Sequence, residues 1–201
     1  VEQEVNLTEE IARANPIVFA SASSEWTTPQ PLFDSLDHLF DFTLDVCATP
    51  ENAKCERYFT AADDGLKQEW NGVCWCNPPY GRGLGKWVRK AFEASENGTT
   101  VVMLLPAFMS NAWWHDYVIP HGEIISIRGR LQYGGVSYPA PFSSVIVVFG
   151  RYTCGANRHL KRCPGCKEFF FAARSDATRC SVKCRMAQSR AKHRRKASRR
   201  T

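Results

Sequence analysis

Two side chains and a backbone carbonyl that could act together on an amino group sit in one tetrapeptide, Asn77-Pro78-Pro79-Tyr80. The Asn77 side-chain oxygen and the Pro78 backbone carbonyl are two acceptors on a stiff support, and Pro78 has no N–H of its own to compete for them. Two acceptors converging on one planar NH2 group would hold both of its protons and localise the nitrogen lone pair for attack on an electrophile. Tyr80 adds a flat face on which the ring bearing that NH2 can stack. The element that positions them is the apolar run Val73-Cys74-Trp75-Cys76, read as a buried parallel strand. Neither proline can continue a ladder, so the chain must leave the sheet at the strand's carboxyl end. In open α/β sheets ligands bind at that edge.

In this setting Asn-Pro-Pro-Tyr resembles motif IV of the S-adenosylmethionine-dependent amino methyltransferases, which act on adenine N6, cytosine N4 or a glutamine amide. The rest of the chain narrows the likeness. Thr28-Pro29-x-x-Leu32-Phe33, Leu44-Asp45-Val46-Cys47-Ala48, Asn52-Ala53-Lys54, Asp64-Gly65-Leu66-x3-Trp70, Leu105-Pro106-Ala107, Gly129-Arg130-Leu131 and Ala140-Pro141 stand around it in a fixed order. Over residues 25–150 this ordered set resembles the phage-type (Dam-like) DNA N6-adenine methyltransferases.

The resemblance implies a Rossmann-like methyltransferase sheet with S-adenosylmethionine as cofactor and double-stranded DNA as partner. It implies that Thr28 and Pro29 hold the cofactor's carboxylate end, and that Asp45, Val46, Cys47 and Ala48 meet its methionine part. Asp63 or Asp64 would reach its adenine or ribose. Asn77 and Pro78, with Pro79 stiffening the turn, would hold the target NH2, and Tyr80 would stack on the base. Because the reacting atom is out of reach inside a duplex, the adenine would have to be flipped out. Amino methyltransferases commonly carry glycines after the first strand, where this chain has Ala48-Thr49-Pro50-Glu51. The cofactor loop is therefore expected to differ in shape. The stretch from Asp45 to Asn77 is short for three strand–helix units, so shortened helices are expected there.

Blander readings accompany several of these residues. Asp45 could cap the turn that follows its strand, and Asp63 and Asp64 could belong to a solvated turn. Tyr133 and Phe142, in the Gly/Pro-rich segment from Gly129 to Phe142, could form the second wall of a base pocket or simply pack in the core. Trp70, Trp87, Trp113 and Trp114 read as core, and His38, His115 and His121 as structural or surface. Thr28 reads as the N-cap of a helix with Pro29 at its first position and an apolar stripe of Leu32, Phe33, Leu36, Leu39 and Phe40.

Further strands are expected over Phe42–Ala48, Arg57–Phe59, Thr100–Ala107, Glu123–Arg128 and Ser144–Phe149, and helices from about Lys86 to Ala94 and after Asn111. The alternation indicates an α/β sheet of parallel strands with one antiparallel edge strand.

With 201 residues, one full domain and a small one are expected: a weakly structured segment over 1–24, where Thr8–Ala14 could make a helical turn, a methyltransferase domain over 25–152, and a C-terminal module over 153–201. The net charge of +6 conceals a division, with 10 Lys/Arg and 18 Asp/Glu in residues 1–150 against 16 and 2 in residues 151–201. Such asymmetry points to a body with a basic tail for a polyanion. No membrane-length apolar run and no export signal are visible, so a cytoplasmic protein with reduced cysteines is expected.

Cys163-Pro164-Gly165-Cys166, then Cys180 and Cys184, have the paired spacing of a closed, structural four-cysteine zinc site. Cys154 and His159 lie near enough to substitute. The pattern resembles treble-clef or ribbon fingers such as the CGNR type. Cys47, Cys55, Cys74 and Cys76 read as buried or incidental. Beyond the cysteines Arg185, Arg190, Lys192, Arg194, Arg195 and Lys196 are the expected phosphate contacts of a tail that orders on DNA.

Taken together, the sequence reads as an adenine-N6 DNA methyltransferase of phage or prophage origin. Its rivals are a cytosine-N4 or protein-glutamine acceptor, or a non-catalytic DNA-binding protein with a decayed methyltransferase body.

Overall fold

The computed structural model describes residues 26–134, 137–150, 159–164, 166, 169–172 and 184. A five-stranded sheet forms its centre. Its strands are β1 (Leu44–Asp45), β2 (Val73–Cys76), β3 (Thr100–Pro106), β4 (Glu123–Ser126) and β5 (Ser144–Phe149), in the order β1-β2-β3-β5-β4. β1, β2 and β3 are parallel, with Asp45 level with Trp75 and Cys76 level with Met103. β5 runs antiparallel to both β3 and β4. The antiparallel strand is thus inside the sheet, not at its edge as expected. Ser144–Phe149 is buried along its whole length, which suits an interior position better than an edge.

Side-chain alternation along these strands divides the core in two. On one face Cys74, Cys76, Val101, Met103, Leu105, Val145, Val147 and Phe149 pack against helix α2 (Leu84–Glu96) through Leu84, Val88 and Ala91, and against Trp114 and Val118. On the other, Trp75, Val102, Leu104, Ile125, Ile146 and Val148 pack against helix α1 (Gln30–Phe40) through Leu32, Phe33, Leu36 and Phe40. The helix expected after Asn111 is a π-helical turn, Trp114–Val118, that runs into the short α3 (Ile119–His121). Pro120 lies in that short turn, and Gly122 ends it by donating its N–H to the Val118 carbonyl.

Between Asp45 and Val73 the described chain forms no helix and no further strand ladder. The expected strand at Arg57–Phe59 survives as one parallel bridge, Asp45 to Tyr58. Likewise, Phe42–Ala48 contributes only Leu44–Asp45 to the ladder. The sheet is therefore cut short on the side of β1, leaving loops where the shortened helices were expected.

The C-terminal hairpin is joined to the body. β6 (His159–Arg162) pairs with β7 (Phe169–Ala172). Leu160 bridges to Ile127 just beyond β4, with its carbonyl accepting from the Arg128 N–H at 3.2 Å. Leu160 is 0% exposed within the α1-side core, and the Ser35 hydroxyl of α1 lies 3.2 Å from the Phe169 carbonyl it donates to. The N-terminal helical turn at Thr8–Ala14, Cys180 and the tail residues Arg185 to Lys196 lie outside the described residues. Among the described residues no helix is long and apolar enough to cross a membrane.

Candidate active site

A cavity of about 260 Å³ opens at the carboxyl ends of β1 and β2. Its floor and walls include Thr28, Asp45, Val46, Cys47, Ala48, Asn77, Pro78 and Pro79. It thus collects most of the residues singled out from sequence, although they are scattered along the chain from the N-terminal side of α1 to the turn after β2. Pro29 is not among the lining residues. It stands one residue before the helix, which begins at Gln30, and its carbonyl accepts from Leu32 and Phe33.

The expected capping role of Thr28 is not what the structure shows. No side chain caps α1. The Thr28 hydroxyl instead accepts a hydrogen bond of 3.0 Å from Asn77 Nδ2, which also donates to the Trp26 carbonyl at 2.5 Å. A carbonyl can only accept, so this contact determines which way the amide faces. Asn77 Oδ1 is consequently turned to the Tyr80 hydroxyl at 3.1 Å and keeps a second lone pair. No group among the described residues donates to the Pro78 carbonyl. The two acceptors required of this turn therefore retain capacity.

Tyr80 is half-buried, with its hydroxyl at the inner end. That oxygen lies 3.1 Å from the Leu104 carbonyl and 3.1 Å from the Tyr133 hydroxyl, which in turn is 2.9 Å from Ser144 Oγ. Burial pushes the Tyr80 phenol well above its ordinary value and Tyr133 up to about 12, so both stay neutral and able to donate. Tyr133, which the sequence left open between a base-pocket wall and core packing, is only 1% exposed. It stands behind Tyr80 as a positioning residue, because its hydroxyl is drawn into this buried network. Phe142 is half-exposed and edge-on to Tyr80 with ring centroids 5.7 Å apart, and Trp26 is edge-on to both Tyr133 and Phe142. The Gly129–Phe142 segment reaches this place through Gly134, whose N–H donates to the Thr27 carbonyl at 2.8 Å.

On the other side of the cavity, Asp45 is 2% exposed. Its carboxylate accepts from the backbone N–H groups of Cys47 at 3.2 Å and Lys54 at 3.1 Å. Desolvation raises its pKa to about 6 in spite of those bonds and of the nearby Lys54 ammonium. A buried carboxyl so destabilised favours a cationic guest. Asp63 and Asp64 separate clearly. Asp63 is spent on its own turn, accepting from the Thr60 N–H and hydroxyl at 2.8 and 2.7 Å. Asp64 lines the cavity and pairs with Lys67 at 2.9 Å.

Several lining residues had no assigned role in sequence, namely Trp26, Asn52, Lys54, Thr60 and Gly65, and Trp87, read as core, also lines the cavity. Asn52 and Lys54 belong to a quoted family segment, and that was their one signal. Gly65 is needed by close approach, since a Cβ there would lie 2.2 Å from the Val46 carbonyl and 3.2 Å from the Trp87 ring. Trp87 helps line the cavity and stacks on Trp70, whose indole N–H donates to the Gly65 carbonyl at 2.8 Å. Burial pushes the Cys55 and Cys74 thiols up to about 12 and Cys76 well above its ordinary value, so these three are packing groups rather than ligands.

A second cluster lies at the hairpin. The sulfurs of Cys163, Cys166 and Cys184 are all within 4.8 Å of one another. Cys163 and Cys166 occupy the turn between β6 and β7.

A mixed sheet with four of five strands running one way, and an Asn-Pro-Pro-Tyr turn beside a cavity at its carboxyl edge, define a methyltransferase-like α/β protein. The chain belongs to the DNA N-6-adenine-methyltransferase (Dam) family, whose model matches residues 18–146. It is 36% identical over 109 residues to the DNA N-6-adenine-methyltransferase of Escherichia phage T1, an alignment covering 53% of this chain and 45% of that protein. It is 34% identical over 105 residues to the protein of the same name from Haemophilus phage HP1, covering 51% and 61%. The chain thus spans about half the length of these relatives.

Proposed function

We propose that this chain transfers a methyl group from S-adenosylmethionine to N6 of an adenine held out of duplex DNA. The observation that carries the reading is the orientation of Asn77. Its donor side is occupied by Trp26 and Thr28, and its acceptor side stays available next to the Pro78 carbonyl. That arrangement suits a ligand bearing two N–H protons. Bound S-adenosylmethionine would supply the electrophilic methyl, carried on a sulfonium that departs as a neutral thioether. Asn77 Oδ1 and the Pro78 carbonyl accept from the adenine NH2 and aim its lone pair. They offset the positive charge that develops on nitrogen as the N–CH3 bond forms and the S–CH3 bond breaks, until one of the two N–H protons passes to solvent. Tyr80 and Phe142 present ring surface to the extruded base. Rate acceleration comes from positioning and electrostatics rather than from a general base with a tuned pKa.

Asp45 and Asp64 suit the cofactor side. Asp45 is buried and destabilised as an anion, which fits the ammonium of the methionine part. Asp64, also on the cavity lining, would meet the ribose or adenine. We further propose a structural zinc ion held by Cys163, Cys166 and Cys184 together with Cys180. Zn–S bonds of about 2.3 Å put tetrahedral sulfurs about 3.8 Å apart, and the observed cluster is compatible with that spacing. The basic tail from Arg185 to Lys196 adds phosphate contacts on composition.

The test is to incubate the full chain with labelled S-adenosylmethionine and unmethylated DNA, then analyse nucleosides by mass spectrometry. N6-methyl-2′-deoxyadenosine, lost in Asn77→Ala with DNA binding retained, supports the reading. Label in cytosine, or full activity of Asn77→Ala, would overturn it.

A further inference from the structure

The basic tail is the obvious place for DNA to bind, but a second feature lies within the body. β2, β3 and β4 all end at the same edge of the sheet, and the loop after β4 returns there to enter β5. Three segments therefore meet at one rim: the turn and loop following Asn77, the loop after Pro106, and the segment from Ile127 to Ser143. They touch. The Ala107 N–H donates to the Ser143 carbonyl at 2.8 Å, and the Phe108 and Phe142 ring centroids are 5.6 Å apart. Tyr80 meets Phe142 and Tyr133 from the third side.

The charge of this rim is opposite to that of the rest of the body. Residues 77–92, 105–115 and 124–150 contain no Asp or Glu at all. Residues 30–72, which build the cofactor side, contain nine acids against three Lys/Arg. Within the acid-free stretches Arg82, Lys86, Arg128 and Arg130 are exposed, and none of them forms an ion pair among the described residues. Exposed cations without an ion pair serve poorly as fold stabilisers and well as phosphate contacts. The same rim carries Met109 and Tyr138, 57% and 61% exposed. Large apolar side chains at loop tips are costly in water. Placed one residue from Phe108 and four from Phe142, they suit the gap left when a base is withdrawn from a stack.

Resting on the proposed activity toward DNA, we propose that this rim is the duplex-binding face of the body. Arg82, Lys86, Arg128 and Arg130 grip phosphates on the strands around the target, and Met109 and Tyr138 enter the duplex beside the extruded adenine. Binding through the body is then distinct from binding through the tail.

The experiment uses the full chain and a quadruple variant, Arg82→Gln, Lys86→Gln, Arg128→Gln and Arg130→Gln, with a 30-base-pair unmethylated duplex. Affinity is followed by fluorescence anisotropy at several salt concentrations, with S-adenosylmethionine binding as the control that the fold is intact. Each lost phosphate contact lowers the slope of log affinity against log salt by about 0.9, so a decrease of about 3 to 4 is expected while cofactor affinity is kept. An unchanged slope in a variant that still binds cofactor would overturn the rim. Met109→Ser should lower the ratio of duplex to single-strand methylation about tenfold, whereas an unchanged ratio would remove the insertion role. Failure of the unaltered chain to bind or methylate DNA would overturn the proposed activity and the rim together. Methylation by the unaltered chain with an indifferent quadruple variant would overturn the rim alone.

Discussion

Substituting Asp45 by Asn tests the electrostatic design of the cavity most directly. The carboxyl is 2% exposed and its pKa is raised from 3.8 to about 6, chiefly by desolvation. The folded state therefore holds this proton more tightly than the unfolded state. The stability it contributes is fully present below about pH 4 and is lost as pH rises through 6. Moving a carboxyl from 3.8 to about 6 corresponds to a loss of about 3 kcal/mol across that window. The amide that replaces the carboxyl cannot titrate, so the difference in unfolding free energy between the unaltered chain and Asp45→Asn should change by about 2–3 kcal/mol between about pH 4 and pH 7. A constant offset is also expected. The N–H groups of Cys47 and Lys54 must then share one carbonyl oxygen, and leaving a buried donor unsatisfied costs about 1–3 kcal/mol. Urea unfolding at a series of pH values reads both quantities. A cationic ligand lowers the pKa of Asp45, so S-adenosylmethionine affinity should rise with pH up to about 6 in the unaltered chain and stay flat in the variant. Parallel pH–stability curves for the two proteins would refute the reasoning.

Three other expectations follow from single contacts. Tyr80→Phe keeps the ring but removes the hydroxyl shared among Asn77, Leu104 and Tyr133. Stability should fall by about 1–2 kcal/mol and kcat by roughly tenfold, with no step in rate between about pH 7 and 9 traceable to this phenol; an unaltered kcat would show that it does not steady Asn77. Gly65→Ala forces the loop off the Val46 carbonyl, so calorimetry should find weaker cofactor binding and a stability loss of about 1–3 kcal/mol. Leu160→Ala empties a site in the α1-side core and should cost about 2–5 kcal/mol, measured by urea unfolding, while leaving the salt dependence of DNA binding in place. For the same reason removal of the tail should begin beyond Cys184, because cutting at Arg151 would also strip Leu160 from the body.

Much of the site was legible in sequence because its parts are local. A proline-stopped apolar run defines its own exit from a sheet, so β2, β3 and the Asn77–Tyr80 turn were readable from short windows. The cysteine spacing was local too, and the structure brings together the three described members of that set. What periodicity could not reveal was which strand lies beside which. β5 inserts between β3 and β4 because its residues are apolar on both faces. Beyond β1, among the described residues, the sheet continues only as the single bridge to Tyr58 with the backbone bonds of Arg57 and Phe59 around it.

The sequence by itself determined the chemistry on offer: an amide and a carbonyl on a rigid turn, a carboxylate at a strand end, and a basic tail after paired cysteines. Only the tertiary structure decided how those groups are used. Thr28 looks like a helix cap in sequence, yet Asn77, forty-nine positions away, takes its hydroxyl. Tyr133 could be a pocket wall or a core residue in sequence, and its ring is buried with its hydroxyl against Tyr80. Asp64, not Asp63, faces the cavity because its neighbour closes a turn on Thr60. For Thr28 and Tyr133 contacts between segments far apart in sequence made the choice, whereas for the two aspartates it was a turn closed over three residues.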